Sequence, residues 1–527
     1  MIVVIRVRQI KVSVMNDSTD ELYNALVRKL KINVKDIVNV KVVKKSIDAR
    51  HKDNVCFVYE VDVEVNNINK IKFDNDVTMS VSSKYDFVPS GDIGLSSRPI
   101  VVGSGPCGLF CAYFLAKHGF KPIVVERGED MDSRVRTVNE FWNGGVFNPN
   151  SNVQFGEGGA GTFSDGKLST QIKDKNNRIG EVLNIFVENG APSEILYDFM
   201  PHIGTDLLRD VVKNMRNKII SMGGEFRYNS CLNDINIVDG KIKSVVVNNQ
   251  VIDCDILVLA IGHSARDTFR MLHSRGLVMS NKPFAVGVRV MHSQDMISYS
   301  QYGEFYRYLR PASYKLTYNT SSGRGVYSFC MCPGGYVVNA SSEEGRLVVN
   351  GMSNYARESG IANSAIVVTV NESDYGSNLF DGVRFQENLE SLAYDLGNGS
   401  IPVQRYGDYL KGVKSTDFGK IRPMIKGKCY FSDLNLLFND DINVSLHEAM
   451  EYFSNRIKGF NDYDTIIAGV ESRTSSPVKI IRDDNFESNI FGIYPAGEGC
   501  GYAGGIISAA VDGIKVFESI VSKYRVN

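Results

Sequence analysis

The 527-residue chain contains no run of eighteen apolar residues, and a helical membrane span is thereby excluded. It also has no Cys-x-x-Cys pair, no His-x-His and no His-Glu-x-x-His, so the spacings that build structural zinc or iron–sulfur sites are missing. A formal net charge of −1 gives no whole-chain attraction to nucleic acid or to an anionic membrane. The nine cysteines are odd in number and irregularly spaced, and the opening MIVVIRVRQIKVSV alternates apolar with basic residues instead of running apolar like a secretion signal. Both features predict reduced thiols and a cytoplasmic protein. There is no internal repeat or low-complexity tract. What remains is an ordinary globular composition, 43% hydrophobic and 23% charged, over a length that suggests about three domains.

The most informative stretch is RPIVVGSGPCGLFCAYFLAKHGFKPIVVERG, from Arg98 to Gly128. A short apolar strand (Ile100, Val101, Val102) enters Gly103-x-Gly105-x-x-Gly108. An apolar helix follows, then a second apolar strand ending in Glu126. Gly103 permits the tight turn, Gly105 lets backbone approach a pyrophosphate, and Gly108 allows close helix–strand packing. The helix N-terminus, which includes Ser104, Pro106 and Cys107, offers the N–H groups of its non-proline residues and a positive dipole end to phosphates. Glu126 stands where a carboxylate accepts the adenosine ribose hydroxyls, with Arg127 beside it. Strand, helix and acid in this order predict a dinucleotide-binding βαβ unit.

Around this unit the composition suggests four segments. Residues 1–90 read as a small N-terminal α+β, ferredoxin-like domain: alternating strands, and a capping box Ser18-x-x-Glu21 opening a helix to about Leu30. SGDIGLSS (residues 90–97) reads as a linker. Residues 98–282 form the first part of the nucleotide domain, closing on the buried strand Ile256–Ile261. Residues 283–463 are aromatic and Gly/Ser-rich and read as an inserted α+β substrate or cap domain. Residues 464–527 return to strand, glycine turn and apolar helix, completing the nucleotide domain.

Two further glycine turns favour FAD over a nicotinamide. VLAIGHSARD carries Ala260, Gly262 and His263, and PAGEGCGYAGG carries Gly497, Glu498, Gly504 and Gly505 before a helix starting at Ile506. Turns of this kind bring backbone close to a ribityl chain and isoalloxazine ring, and the second helix can aim its dipole at the flavin N1/C2 carbonyl. Leu232 is expected in the same wall. Gly156-Glu-Gly158-Gly159-Ala-Gly161-Thr162 spells a second GxGxxG, but an Asn/Pro-rich stretch precedes it and TFSDGKLS follows. With neither strand nor helix evident, it reads as a flexible flavin-embracing loop. NAD(P)H, if it is the electron donor or acceptor, binds transiently or in the insert.

The motifs GSGPCGLF, VVERG, VQFGEGGAGTFSDGKL, AIGHSARDTF, CMCPGGYVVNA, NGMSNYARESG, VESRTSSPVK and YPAGEGCGYAGGIISAAVDGI, together with KKSIDARHKD near the N-terminus, resemble the family of uncharacterised FAD-dependent proteins, or NAD(FAD)-utilising dehydrogenases. The resemblance covers nearly the whole chain. It implies bound FAD and an α/β fold with a Rossmann-like, glutathione-reductase-type FAD-binding domain and an inserted domain. It implies no substrate.

Since flavin carries the redox chemistry, polar residues near the glycine turns are the candidates for catalysis. Lys167 can hold a substrate anion or stabilise reduced flavin, or be a solvated lysine. His202 is a candidate proton donor, whereas His263, just after a buried strand, reads as cofactor packing. Cys330 and Cys332 share a strand face and can relay electrons, although two small buried residues give the same pattern and a C-x-C bridge closes a strained ring. Arg473 offers a bidentate fork to a substrate carboxylate or to flavin. Tyrosines 299, 302, 306, 308, 314 and 318 can line a planar-substrate pocket or pack as ordinary strands.

The expected function is an FAD-dependent dehydrogenase or reductase acting on a small-molecule substrate or redox partner, with a flavin monooxygenase as the nearest alternative. A flavin-retaining binding or redox-sensing protein, its N-terminal module contacting RNA or another protein, is the second class. Its motive is the excess of eleven Lys/Arg over five Asp/Glu in residues 1–50, which shrinks to fifteen against twelve over residues 1–90. Nucleic acid is therefore not an expected partner.

Overall fold

The computed structural model of the chain describes residues 3–81 and 84–526, so the first two residues of the expected opening strand lie outside the described residues. Alternation puts Ile5 and Val7 on one face of the strand Val3–Ser13. A bulge between Val7 and Ile10, with Gln9 at φ 55°, shifts the parity so that Ile10 and Val12 also face inward. The sheet is antiparallel and runs in the order Ile37–Asp48, Cys56–Val65, Val3–Ser13, Val77–Met79. Helix Thr19–Leu30 covers it with Leu22, Leu26 and Leu30. The Ser18 hydroxyl accepts the Glu21 N–H at 3.2 Å, and the Glu21 carboxylate accepts from Asn24 at 3.3 Å. This order is ferredoxin-like, with a single short turn, Ile68–Lys70, where the second crossover helix of that fold runs. The module is fastened by backbone hydrogen bonds from Lys45 to Tyr197 (2.7 Å) and from Phe199 to Lys45 (2.9 Å).

The nucleotide unit sits in a five-stranded parallel sheet ordered Ile493–Pro495, Leu257–Leu259, Ile100–Val102, Ile123–Val125, Glu225–Arg227. Each of the first four strands is a short apolar run buried on both faces, as parallel strands under helices must be. Helix Pro106–Lys117 is buried nearly all round and packs on helix Ile506–Lys523. Their contact is backbone-close: a Cβ at Gly513 would stand 2.2 Å from the Cys107 carbonyl oxygen. The chain leaves this sheet after Leu259 and returns to it at Ile493, beside the strand it left.

Between those points lies a seven-stranded sheet in the order Thr317–Asn319, Gly325–Cys332, Ile361–Val370, Phe284–Ser293, Ile466–Glu471, Ile401–Arg405, Cys429–Phe431, antiparallel except for its last pair. The strand Ile466–Glu471 pairs with Phe284–Ser293, so the insert's sheet continues past the compositional change at Tyr463. Helices Asp381–Leu396 and Asp440–Ser454 contribute to its apolar core.

Candidate functional site

A cavity of about 390 Å³ lies where the parallel sheet meets the insert. One end is built by the first glycine turn. Gly103 has φ +99°, and a Cβ there would meet the Ala260 carbonyl oxygen at 2.3 Å; a Cβ at Gly108 would meet the Gly103 carbonyl oxygen at 1.9 Å. Gly105 differs: its φ is −70°, and a Cβ would meet only the Cα of Gly159, at 3.8 Å. No protein neighbour accounts for glycine at 105, and the space beside it opens into the cavity at a helix N-terminus, as a pyrophosphate requires.

Glu126 is buried in the same wall. The Ser104 N–H and hydroxyl donate to its Oε2 at 2.9 and 2.7 Å, and the N–H groups of Gly128 and Gly156 donate to Oε1 at 3.0 Å each. The carboxylate therefore joins the first turn to the 156–161 loop, and a ribose would share oxygens that already carry two donors apiece. Arg127 stacks on Phe155 at 4.6 Å and pairs with Asp267 at 2.7 Å.

The loop expected to be flexible is tied down. The Arg134 guanidinium, fully buried, donates to five carbonyls: Asn152 (2.9 Å), Val153 (3.0 Å), Gly156 (3.2 Å), Glu157 (2.6 Å) and Gly159 (2.9 Å). Burial pushes its pKa down to about 10, which leaves it a cation at neutral pH. The Gly158 N–H closes the loop onto the Ser104 carbonyl at 3.0 Å. Gly159 and Gly161 consequently face the cavity, whereas Ser104, Gly108, Gly158 and Thr162 stand behind its wall.

The third turn lies across the cavity. Asp512 accepts the Gly497 N–H at 2.7 Å, and Gly504, Gly505 and Ile506 open the helix Ile506–Lys523 into the cavity. Glu498 is in the wall and accepts the Ser476 N–H at 2.9 Å; burial pushes its carboxyl up to about 7, against the pull of Lys282. Leu232, Ala260, Gly262 and His263 line the same end, and burial lowers His263 to about 3, holding its ring neutral.

At the other end the wall belongs to the insert: Phe329, Cys330, Asn350, Glu471 and Thr474, with Asp165 and Lys167 from the loop. Arg289, fully buried, organises these groups. Its Nε donates to Glu471 Oε2 at 2.9 Å, its Nη1 to Asn363 Oδ1 at 2.8 Å and to the Cys330 carbonyl at 3.1 Å, and its Nη2 to Asn350 Oδ1 at 3.1 Å. Burial raises the Glu471 carboxyl above its ordinary range, and Arg289 opposes the rise without cancelling it.

The remaining candidates are placed as follows. The Lys167 ammonium is held on the Met331 carbonyl, between the two cysteines. His202 is outside the cavity lining, buried and stacked on Tyr355 at 5.3 Å, its Nε2 against the Tyr355 carbonyl at 3.1 Å; burial lowers it to about 4. Arg473 lines the cavity, but Glu390 holds its guanidinium at 2.9 and 2.7 Å. None of the six tyrosines lines the cavity: Tyr318 stacks on Tyr452, Tyr314 packs on Phe460, and Tyr299 and Tyr308 are exposed. Among the described residues no cluster of His, Cys, Asp or Glu has the makings of a metal site, and no helix is long and apolar enough to cross a membrane.

Sequence reasoning missed Arg134, Arg289, Asn350 and Glu471. Arg289 did carry a signal, a single cation inside the apolar run FAVGVRVM, because a charge in a buried strand demands a partner. The partner itself lies 182 positions away.

The residues present fit FAD. Two helix N-termini face the cavity, Gly105 and Gly504 leave room that no protein atom within van der Waals contact explains, or almost none, and a neutral imidazole and a carboxyl line the wall between them. Residues 283–474 match the family model described as FAD-dependent protein, C-terminal domain-like, residues 101–156 match an NAD(P)-binding Rossmann-like domain, and residues 4–64 match a domain of unknown function. An uncharacterized protein of Clostridium beijerinckii is 47% identical over 531 residues, covering 99% of each chain. Among solved structures, E. coli quinol fumarate reductase FrdA aligns with a TM-score of 0.38 at 12% identity, over 82% of this chain and 70% of that one. Glycine oxidase from Geobacillus kaustophilus aligns with a TM-score of 0.37 at 10% identity, over 81% and 95%. With the whole-length relative and the matched insert taken together, this chain belongs to the family of FAD-dependent proteins and has their Rossmann-like dinucleotide-binding domain.

Proposed function

We propose that this FAD-dependent oxidoreductase works as a reductase: it takes a hydride from a nicotinamide nucleotide that binds transiently and passes the electrons to a small-molecule acceptor at the insert end of the cavity. Bound FAD supplies a two-electron centre able to accept and return a hydride. The chain's own residues hold the acceptor and handle its proton. The observation that carries the reading is Glu471, which lines the cavity, is fixed through one oxygen by Arg289 at 2.9 Å, and has its carboxyl raised by burial. Asn350 is oriented by two donors on its Oδ1, from Arg289 and from the Gly351 N–H at 2.8 Å, so its NH₂ is the remaining donor toward an acceptor. A cytoplasmic location is part of the proposal and rests on the odd, irregularly spaced cysteines.

The test is anaerobic addition of NADH, then NADPH, to the yellow holoenzyme. The expected result is rapid bleaching by one of them; a flavin that stays oxidised with both would refute a nicotinamide-driven reductase. Glu471→Gln keeps the side-chain shape, and bleaching by the active nucleotide proceeds at an unchanged rate. Turnover of that nucleotide with a soluble quinone as acceptor falls by about 10²-fold or more. Equal turnover removes Glu471 from the proton's path.

A further inference from the structure

We propose that Cys330 and Cys332 form a redox-active dithiol that takes electrons from the bound FAD and delivers them to a disulfide substrate. This inference rests on the FAD reading above and adds a second redox centre and a substrate class to the same cavity.

The geometry is local and specific. Cys330 is half-buried and lines the cavity, while Cys332 is buried behind it. The strand Gly325–Cys332 loses its register with Ile361–Val370 between Phe329 and Cys332, and Cys330 has φ 45°, a left-handed conformation that a cysteine rarely adopts. That break lies at the cavity wall. The Cys332 thiol donates to the Cys330 carbonyl at 3.3 Å, which folds its sulfur back against the residue that faces the cavity.

Two cations are fastened around the pair. Arg289 donates to the Cys330 carbonyl at 3.1 Å, and Lys167 donates to the carbonyl of the intervening Met331. The hydrogen bond from Cys332, with the Arg289 and Lys167 charges, holds the Cys330 thiol below the ordinary cysteine value, whereas Cys332 is pushed up. Cys330, which lines the cavity, is therefore placed as the attacking thiolate, and the buried Cys332 as the resolving thiol. Cys107 and Cys111 have no comparable cation pair, and burial raises both.

In the oxidised pair the S–S bond breaks as Cys330 and Cys332 take two electrons and two protons from the reduced dinucleotide, leaving two thiols and oxidised flavin. The Cys330 thiolate then attacks one sulfur of a substrate disulfide and releases the first substrate thiol. Cys332 attacks the mixed disulfide, releases the second substrate thiol and re-forms the Cys330–Cys332 bond. The two thiol protons leave with the two substrate thiols.

The experiment is an anaerobic dithionite titration of the holoenzyme after oxidation with ferricyanide, which leaves no adduct on an isolated thiol such as the exposed Cys429, and removal of the reagent, with FAD content and free thiols in denaturant measured on the same sample. The proposal predicts uptake of about four electrons per FAD and two fewer free thiols than the nine cysteines of the chain. Cys330→Ser and Cys332→Ser holoenzymes each take up about two electrons per FAD. A wild-type holoenzyme that takes up about two electrons and keeps all nine thiols overturns the dithiol and leaves the FAD reading standing. A protein that binds no FAD overturns both. The wild-type measurement decides without either variant, so a variant that fails to fold does not protect the proposal.

Discussion

Gly105→Ala is expected to abolish most FAD binding while leaving the apoprotein as stable as the parent or slightly more so. The backbone at 105 has φ −70°, which alanine adopts freely, and the new methyl would meet only the Gly159 Cα at 3.8 Å. An alanine at a compatible position stabilises by up to about 1 kcal/mol through the unfolded chain. The methyl would stand in the path of the pyrophosphate. Loss of one or two charge-assisted hydrogen bonds there costs about 1.5–3 kcal/mol, a fall in FAD affinity of roughly 10- to 100-fold. Gly108→Ala separates the two roles of the glycines. Its Cβ would lie 1.9 Å from the Gly103 carbonyl oxygen, backbone against backbone, so helix and strand must part. That variant loses about 1–3 kcal/mol of stability even without FAD. Urea unfolding of the apoproteins and fluorescence titration with FAD check both. If Gly105→Ala binds FAD like the parent, the pyrophosphate does not lie against this turn.

The second large effect concerns stability. Glu390 is fully buried on helix Asp381–Leu396, and its two oxygens hold Arg266 at 2.8 and 2.9 Å, Arg473 at 2.9 and 2.7 Å, and the Ser472 hydroxyl at 2.7 Å. Arg266 belongs to the parallel-sheet domain and Glu390 to the insert, so this carboxylate fastens the two halves of the cavity together. Glu390→Ala leaves two buried guanidiniums with neutral partners (Gln386, Ser264 and Ser342) and the partly exposed Glu343 carboxylate, and the expected loss is about 3–5 kcal/mol, read as a lower denaturation midpoint in urea. Burial by itself would raise the Glu390 carboxyl, but Arg266 and Arg473 outweigh it and hold the group well below the ordinary carboxylate range. A depressed folded-state pKa means stability that is fully present above the unfolded value, about 4.3, and is lost as pH falls below it. The parent therefore loses stability on acidification below about pH 4, and Glu390→Gln loses less over that window. Identical pH dependences would show that the cluster is not held by this charge.

These predictions separate what was legible in the sequence from what was not. The βαβ unit was legible because its determinants are contiguous: Gly103, Gly105, Gly108 and Glu126 act within one strand–helix–strand, where spacing alone fixes who meets whom. The C-terminal turn at Gly497–Ile506 was legible for the same reason. The ferredoxin-like module followed from alternation, although the replacement of its second helix by Ile68–Lys70 has no periodicity to announce it. The chemistry at the insert end was not legible. Glu471, Asn350 and Asn363 meet through Arg289 across 182, 61 and 74 positions, and a pairing over such distances is settled by which strands become neighbours in the sheet. Arg473 looked available in sequence because its partner, Glu390, lies on a helix 83 positions earlier. The tyrosine-rich segment left a pocket and ordinary packing both open in the sequence, and the fold places none of its six tyrosines in the cavity lining. The C-x-C pair was visible in the sequence with both readings open, but the left-handed bend and the two cations beside it are features of the fold that no spacing announces.

FAD held in the cavity between the glycine turns and the insert's sheet is what the proposed chemistry depends on. The most direct test is the visible absorbance spectrum of the purified chain, together with the amount of FAD released on denaturation. The account predicts a flavin spectrum and about one FAD per chain, released intact and restored by adding FAD to the apoprotein. A colourless protein that takes up no FAD would contradict it.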